Sequence, residues 1–231
     1  MASSFYQIAD IQINLTKSVL TTNSKSSSSI LFINSTIQPI LASQPFKFLG
    51  CWFTLNNKQS EQIKLIQDET FQLTSIASTK RITDKQIIYV INTVIIPTLE
   101  YRIHNIVLSR TICNNILSKY LTIAKHKSHL AKSIPNSTML NSYLYNIQNI
   151  WDIQLQHHIT NFLQRINNPH LLGTTTRIRL QQLQNNLWST INILQYPQPI
   201  INGPNRFTLN FKIIQLLIHL KLSVTANSNI L

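Results

Sequence analysis

Residues 82–101 read ITDKQIIYVINTVIIPTLEY. The spacing predicts a helix here. Thr83 followed three residues later by Gln86 has the form of a capping box, in which each residue satisfies a backbone or side-chain group of the other. Beyond it, Ile87, Ile88, Val90, Ile91, Val94 and Ile95 supply the apolar positions of the helix. Pro97 lacks a backbone N–H and is expected to bend or end it.

Upstream, the period changes at Asn56, beyond which Ile63, Ile66, Phe71, Leu73 and Ile76 follow loosely helical spacing. Before Asn56 the pattern is that of short strands. A helical turn is expected over residues 2–9, strands over 19–22, 30–33, 36–41 and 46–55, and a loop at NSKSSSS, residues 23–29. Gly50, inside the aromatic 46–55 segment, predicts a bulge or a close backbone approach. Downstream, residues 109–127 predict a helix with Ile112, Ile116, Leu117, Leu121 and Ile123 inward. Pro135 and Asn136 mark a break. Residues 141–166 read as one long helix or two, ended by Asn168-Pro169 and Gly173. Residues 176–193 predict another helix, with Leu180, Leu183 and Leu187 on one face. Residues 207–231 are apolar, and FKIIQLLIHLKLSV (211–224) reads as a buried or interfacial helix. The expected class is α+β: a small β-rich unit over 1–55, helices over 56–130 and 131–194, a Pro-rich linker over 195–206 and an apolar segment over 207–231.

Composition narrows the function. The 231 residues are 43% hydrophobic, enough for a core, so wholesale disorder is excluded. Cys51 and Cys113 are the only cysteines, which excludes a disulfide scaffold and leaves no Cys/His array for structural zinc. Three glycines and the absence of GxGxxG or GxxxxGK[ST] argue against Gly-loop nucleotide folds. Twenty Lys and Arg against seven Asp and Glu give +13. That charge points to a polyanion partner, although scarce acids rather than abundant bases create it. No signal peptide and no run of 18 apolar residues is recognised.

Four stretches, in this order and spacing, resemble the C-terminal half of the reverse transcriptase of non-LTR (LINE-type) retrotransposons, in the divergent form of fungal genomes. Residues 2–20 (ASSFYQIADIQINLTKSVL) are similar to the segment after the catalytic aspartates. Residues 46–53 (FKFLGCWF) are similar to the strand near the primer grip. Residues 82–101 resemble the thumb helix, and residues 134–156 the helical region beyond it. The resemblance implies a palm remnant followed by thumb and connection helices, a nuclear or cytoplasmic location, and an RNA/DNA template–primer as partner. It implies that Lys17 is the palm lysine that approaches the incoming nucleotide. Lys47, Leu49 and Gly50 match the strand that positions the primer end, and Lys80, Arg81 and Lys85 begin the thumb helix, facing duplex phosphates. Read without the resemblance, Lys17 is an exposed turn lysine, Lys47 a solvated residue on a core strand, and the other three a basic helix start. A protein partner is a further expectation for residues 207–231.

The family's polymerisation uses paired carboxylates that hold Mg²⁺. This sequence has no adjacent Asp-Asp, and Asp10, its first carboxylate, stands past the matching position. The expectation is therefore a truncated, catalytically inactive piece with no cofactor of its own. Asp68-Glu69, the one acidic doublet, lies in helix, where neighbours point about 100° apart. His126, His129, His157 and His158 read as surface histidines and Asp152 as a poor ligand partner for His157. Cys51 and Cys113 read as buried small apolar residues. Trp52, Phe53 and Tyr101 read as core aromatics in preference to base-stacking ones.

Overall fold

A computed structural model describes residues 18–22, 29–32, 35–188, 190, 192–195 and 208–224. It forms two compact units, residues 1–61 and 62–231. The class is mixed α+β: short open ladders first, then mostly helix.

Among the described residues, the first unit contains six short strands: β1 (Leu20–Thr21), β2 (Ile30–Phe32), β3 (Ser35–Ile37), β4 (Pro39–Ile40), β5 (Phe46–Phe48) and β6 (Cys51–Phe53). They pair two by two, β1 parallel to β4, β2 antiparallel to β3, and β5 antiparallel to β6. The strand expected over 36–41 is thus divided between β3 and β4. The single strand expected over 46–55 is instead a hairpin, and Gly50 makes its turn in place of a bulge. Leu49 and Gly50 both have positive φ, 47° and 80°. Such a two-residue turn matches the twist of the strands it joins. Register places Phe46 opposite Phe53 and Phe48 opposite Cys51, so these four share a face, with the Phe46 and Phe53 rings stacked at 6.0 Å. Lys47 and Trp52 take the other face.

Helix α1 (Ser60–Thr79) buries Gln62, Ile66, Thr70, Thr74 and Ala77. Of the apolar residues at helical spacing, Ile66 is buried, whereas Phe71 and Ile76 are 63% and 57% exposed. The inward stripe includes threonines because each satisfies itself. Thr70 Oγ1 donates to Ile66 O and Thr74 Oγ1 to Thr70 O, both at 2.7 Å. The segment 82–101 forms α2 (Asp84–Val90), a π turn (Ile91–Ile95) and α3 (Ile96–Ile103) without interruption. The capping box is present: Gln86 N donates to Thr83 Oγ1 and Thr83 N to Gln86 Oε1. Pro97 does not end this helix. It sits in the first positions of α3. The wider π turn just before it changes the hydrogen-bond pattern where proline lacks its donor.

Helix α4 (Arg110–Lys127), capped by Ser109, buries Cys113, Ile116, Leu117, Tyr120, Leu121 and Ala124. Pro135 stands at the start of a short α5 (Asn136–Leu140). Turns follow, then α6 (Ile150–Ile166), capped by Asn149. The expected helix over 141–166 therefore begins nine residues late, because Asn146 has a positive φ of 50° and Asn149 is an N-cap. The next helix, α7 (Leu171–Asn186), begins and ends earlier than the 176–193 expected. Gly173 does not end α6 but lies in the first turn of α7. A Cβ there would stand 1.8 Å from the Asn168 carbonyl oxygen, so only glycine fits. Finally, α8 (Leu209–His219) buries Phe211, Ile213, Ile214, Leu216 and Leu217. It packs on α6, so this apolar face is internal.

Among the described residues, two apolar clusters hold the second unit together. One gathers α1 to α4 with Ile150, Trp151 and Leu216; the other gathers Phe162, Ile166, Leu180, Leu183 and the face of α8. Helix α6 runs through both. Its middle turns bury Gln154 and His158, which are polar. Among the described residues, no helix is long and apolar enough to cross a membrane.

Candidate functional site

The link between α1 and α2 carries Lys80 and Arg81, both exposed, with exposed Lys85 in the first turn of α2. Lys80 and Arg81 therefore precede the helix they were expected to begin. A further cation reaches the same link from α4. Lys127 Nζ donates to Ser78 O at 2.8 Å and to Lys80 O at 2.7 Å. It meets carbonyls at the C-terminal end of α1, where the helix dipole is negative. Such contacts orient a lysine without neutralising it. Lys127 has no distinguishing mark in the sequence beyond its place in a last helical turn. Asp84 is the acid within this stretch, and its Oδ1 accepts from Lys85 N.

Lys47, Leu49 and Gly50 fall together on the β5–β6 hairpin, in the first unit. Lys47 is exposed on the face opposite the phenylalanines, and Leu49 is 73% exposed at the turn. Lys17 and Asp10 lie outside the described residues, as does most of the 195–206 linker.

The acidic doublet is divided. Asp68 is exposed, whereas Glu69 holds Arg102, with Nε to Oε2 at 2.9 Å and Nη2 to Oε1 at 3.2 Å. Gln62 Nε2 donates to the Arg102 carbonyl at 2.8 Å, which ties α1 to α3. A carboxylate already committed to a bidentate guanidinium does not fit the paired Mg²⁺ ligands of a polymerase. No group of three or more His, Cys, Asp or Glu arranged to hold a metal ion occurs among the described residues.

The surface expectation holds for His126 and His129, which are exposed; His157 is half-buried, and the expectation fails for His158. His158 is 1% exposed, and its Nε2–H donates to Ile106 O at 2.8 Å. Burial lowers its pKa to about 4, against the opposing effect of that hydrogen bond; His157, His104 and Arg165 add to the lowering. The imidazole is therefore neutral at pH 7. Gln154, one turn earlier, accepts from Leu108 N at 2.8 Å and donates to Leu108 O at 3.1 Å. These two side chains satisfy the loop between α3 and α4, which explains why polar residues occupy the inward face of α6.

His157 points along the seam between α3 and α6. Its Nδ1 lies 3.4 Å from Glu100 Oε1, and its Nε2 meets His104 Nδ1 at 2.5 Å and Asn161 Nδ2 at 2.7 Å. Glu100, His157 and Asn161 line a groove of about 610 Å³, and His104 and Asn161 a second hollow of about 360 Å³. The sequence signal for this cluster was two spacings of four, Glu100 to His104 and His157 to Asn161. Each places its pair on one helix face.

Cys51 and Cys113 are buried, and burial pushes the Cys113 thiol up to about 12, so it is unreactive at neutral pH. Trp52 and Phe53 are half-buried on the hairpin, but Tyr101, expected in the core, is 55% exposed. The core position on that turn of α3 belongs to Leu99 and Ile103. Comparison of the chain with family models, with curated proteins and with solved structures returns no match.

Proposed function

We propose that this chain is a reverse-transcriptase-like nucleic-acid-binding protein that does not itself polymerise DNA. In this reading the β-rich unit is the end of a palm and the helices are thumb and connection. The partner is an RNA/DNA template–primer duplex. One observation carries the proposal: Lys80, Arg81 and Lys85 are exposed together at the α1–α2 link, with Lys127 held beside them by main-chain carbonyls. Exposed bases on a short link suit phosphates, which are contacted by position rather than by sequence. The charge of +13 adds long-range attraction. The wording of residues 46–53 and 82–101 supports the family over an unrelated basic module. Two features support the absence of catalysis: no adjacent Asp-Asp stands in the sequence, and Glu69 is engaged by Arg102.

Binding of an RNA–DNA hybrid by the full chain, compared with a variant carrying Lys80→Gln, Arg81→Gln and Lys85→Gln, tests this. The expected result is at least a tenfold loss of affinity at low salt, about 1.4 kcal/mol or more. Equal affinity of the two proteins refutes the interface. No primer extension with Mg²⁺ is expected from either.

A further inference from the structure

The seam between α3 and α6 holds an arrangement that nucleic-acid binding does not use. Three nitrogen atoms converge there. His157 Nε2 stands 2.5 Å from His104 Nδ1 and 2.7 Å from the Asn161 amide. On its other side, His157 Nδ1 is 3.4 Å from Glu100 Oε1. A neutral imidazole has one N–H and one lone pair. If Nδ1–H donates to Glu100, Nε2 keeps a single lone pair, and both His104 and Asn161 are directed at it. Two imidazole nitrogens and a reversible side-chain amide therefore face one point on the seam.

We propose that His104 Nδ1 and His157 Nε2 form a two-imidazole clip for a borderline first-row divalent cation such as Zn²⁺, with Asn161 as third ligand and Glu100 as the outer-shell acceptor. Every part of the cluster then has a role. A histidine that binds a metal through one ring nitrogen characteristically donates the other N–H to a carboxylate, which fixes the tautomer and raises ligand basicity. Glu100 stands where that acceptor belongs. Rotating the Asn161 amide about its last bond exchanges Nδ2 for Oδ1 and offers the ion an oxygen; the two orientations are interchangeable in shape. The adjoining hollows leave room for water to complete a tetrahedral shell.

The geometry asks for a small adjustment. Two nitrogens about 2.05 Å from a tetrahedral ion lie roughly 3.3 Å apart, so the pair opens by somewhat less than 1 Å. His104 is exposed at the C-terminal end of α3 and can supply that movement. Imidazole ligands suit Zn²⁺, Cu²⁺ and Ni²⁺ and disfavour Mg²⁺ or Ca²⁺.

Calorimetric titration of the untagged full chain with Zn²⁺ alone, at pH 7.5, tests the clip. Saturable binding at one ion per chain is expected, with a rise in thermal midpoint. His104→Ala and His157→Gln are each expected to weaken it at least tenfold, and Glu100→Gln by about 10–100-fold. The double variant His126→Ala, His129→Ala should bind as the unaltered chain does. Absence of binding, unchanged affinity in His104→Ala, or loss caused by the His126/His129 double variant overturns the proposal. His104 is exposed, so its alanine variant keeps the test decisive even where His157→Gln unfolds.

Discussion

Gly173 is the residue whose replacement this fold tolerates least. A methyl group at that position meets the Asn168 carbonyl oxygen at 1.8 Å, and backbone cannot swing away as a side chain can. Gly173→Ala is expected to cost about 3 kcal/mol in denaturant unfolding, the upper range for overpacking. His158 governs response to acid. Its folded pKa, about 4, lies below the ordinary 6.5, so the unfolded chain takes up a proton that the folded chain refuses. Its contribution is complete above pH 6.5 and is lost as pH falls from 6.5 to 4. It reaches about 3 kcal/mol by the linkage of proton uptake to unfolding. Burial of its ring, then His157 and Arg165, also lower the pKa of His104, against Glu100, and this adds to the slope. Urea unfolding at pH 7, 5.5 and 4 measures this, and His158→Gln is expected to flatten the profile. An equally steep profile in that variant contradicts the assignment. Neither residue role was readable in the sequence. Gly173 carried the mark of a helix end, and the close approach of Asn168 is a packing fact that no local pattern encodes. His158 had the outline of a surface residue, because the carbonyl it satisfies is 52 positions away.

At the scale of elements, the β5–β6 hairpin carries an unfavourable choice at its tip. Leu49 holds a left-handed conformation with its side chain 73% exposed, at a cost of roughly 1 kcal/mol for a residue with a bulky Cβ substituent. Asparagine tolerates that conformation and pairs well with a following glycine in such turns. Leu49→Asn is therefore expected to slow amide hydrogen exchange in Phe46–Phe48 and Cys51–Phe53 by about 2–5-fold, the equivalent of 0.5–1 kcal/mol. Faster exchange would show that the leucine contributes more than its backbone costs. The helices were the most legible elements. Thr83 and Gln86 made their capping box, and Leu180 and Leu183 shared a buried face. Of the two outcomes expected at Pro97, a bend or an end, the end does not occur, because a π turn, which no hydrophobic period announces, carries the helix past it. The apolar spacing of α1 did not mark its inward side, because threonines bonded to their own helix can be buried at little cost, while Phe71 and Ile76 face outward.

Over the whole molecule, α6 joins two apolar clusters, with Gln154 and His158 set between them. Both polar groups serve the α3–α4 loop and stabilise the fold; the His157 side of the same helix faces outward and is available for chemistry. The alternation of a β-rich start with a helical remainder was legible from the change of period near Asn56. The pairing of the strands, two by two, was not, since strand partners depend on contacts distant in sequence. The candidate basic residues at 80, 81 and 85 were legible as charges on a link. The arrival of Lys127 beside them was not, because it depends on where α4 ends relative to α1.

The central claim is that phosphate contacts at this link hold a nucleic-acid duplex. Its most direct test is the salt dependence of RNA–DNA hybrid binding by the full chain and by the Lys80→Gln, Arg81→Gln, Lys85→Gln variant. Each phosphate neutralised by a base contributes about 0.9 to the slope of log affinity against log salt concentration. The account predicts a steep negative slope for the unaltered chain, made shallower by about 2–3 in the variant. Undetectable binding at low salt, or identical slopes for the two proteins, would contradict it.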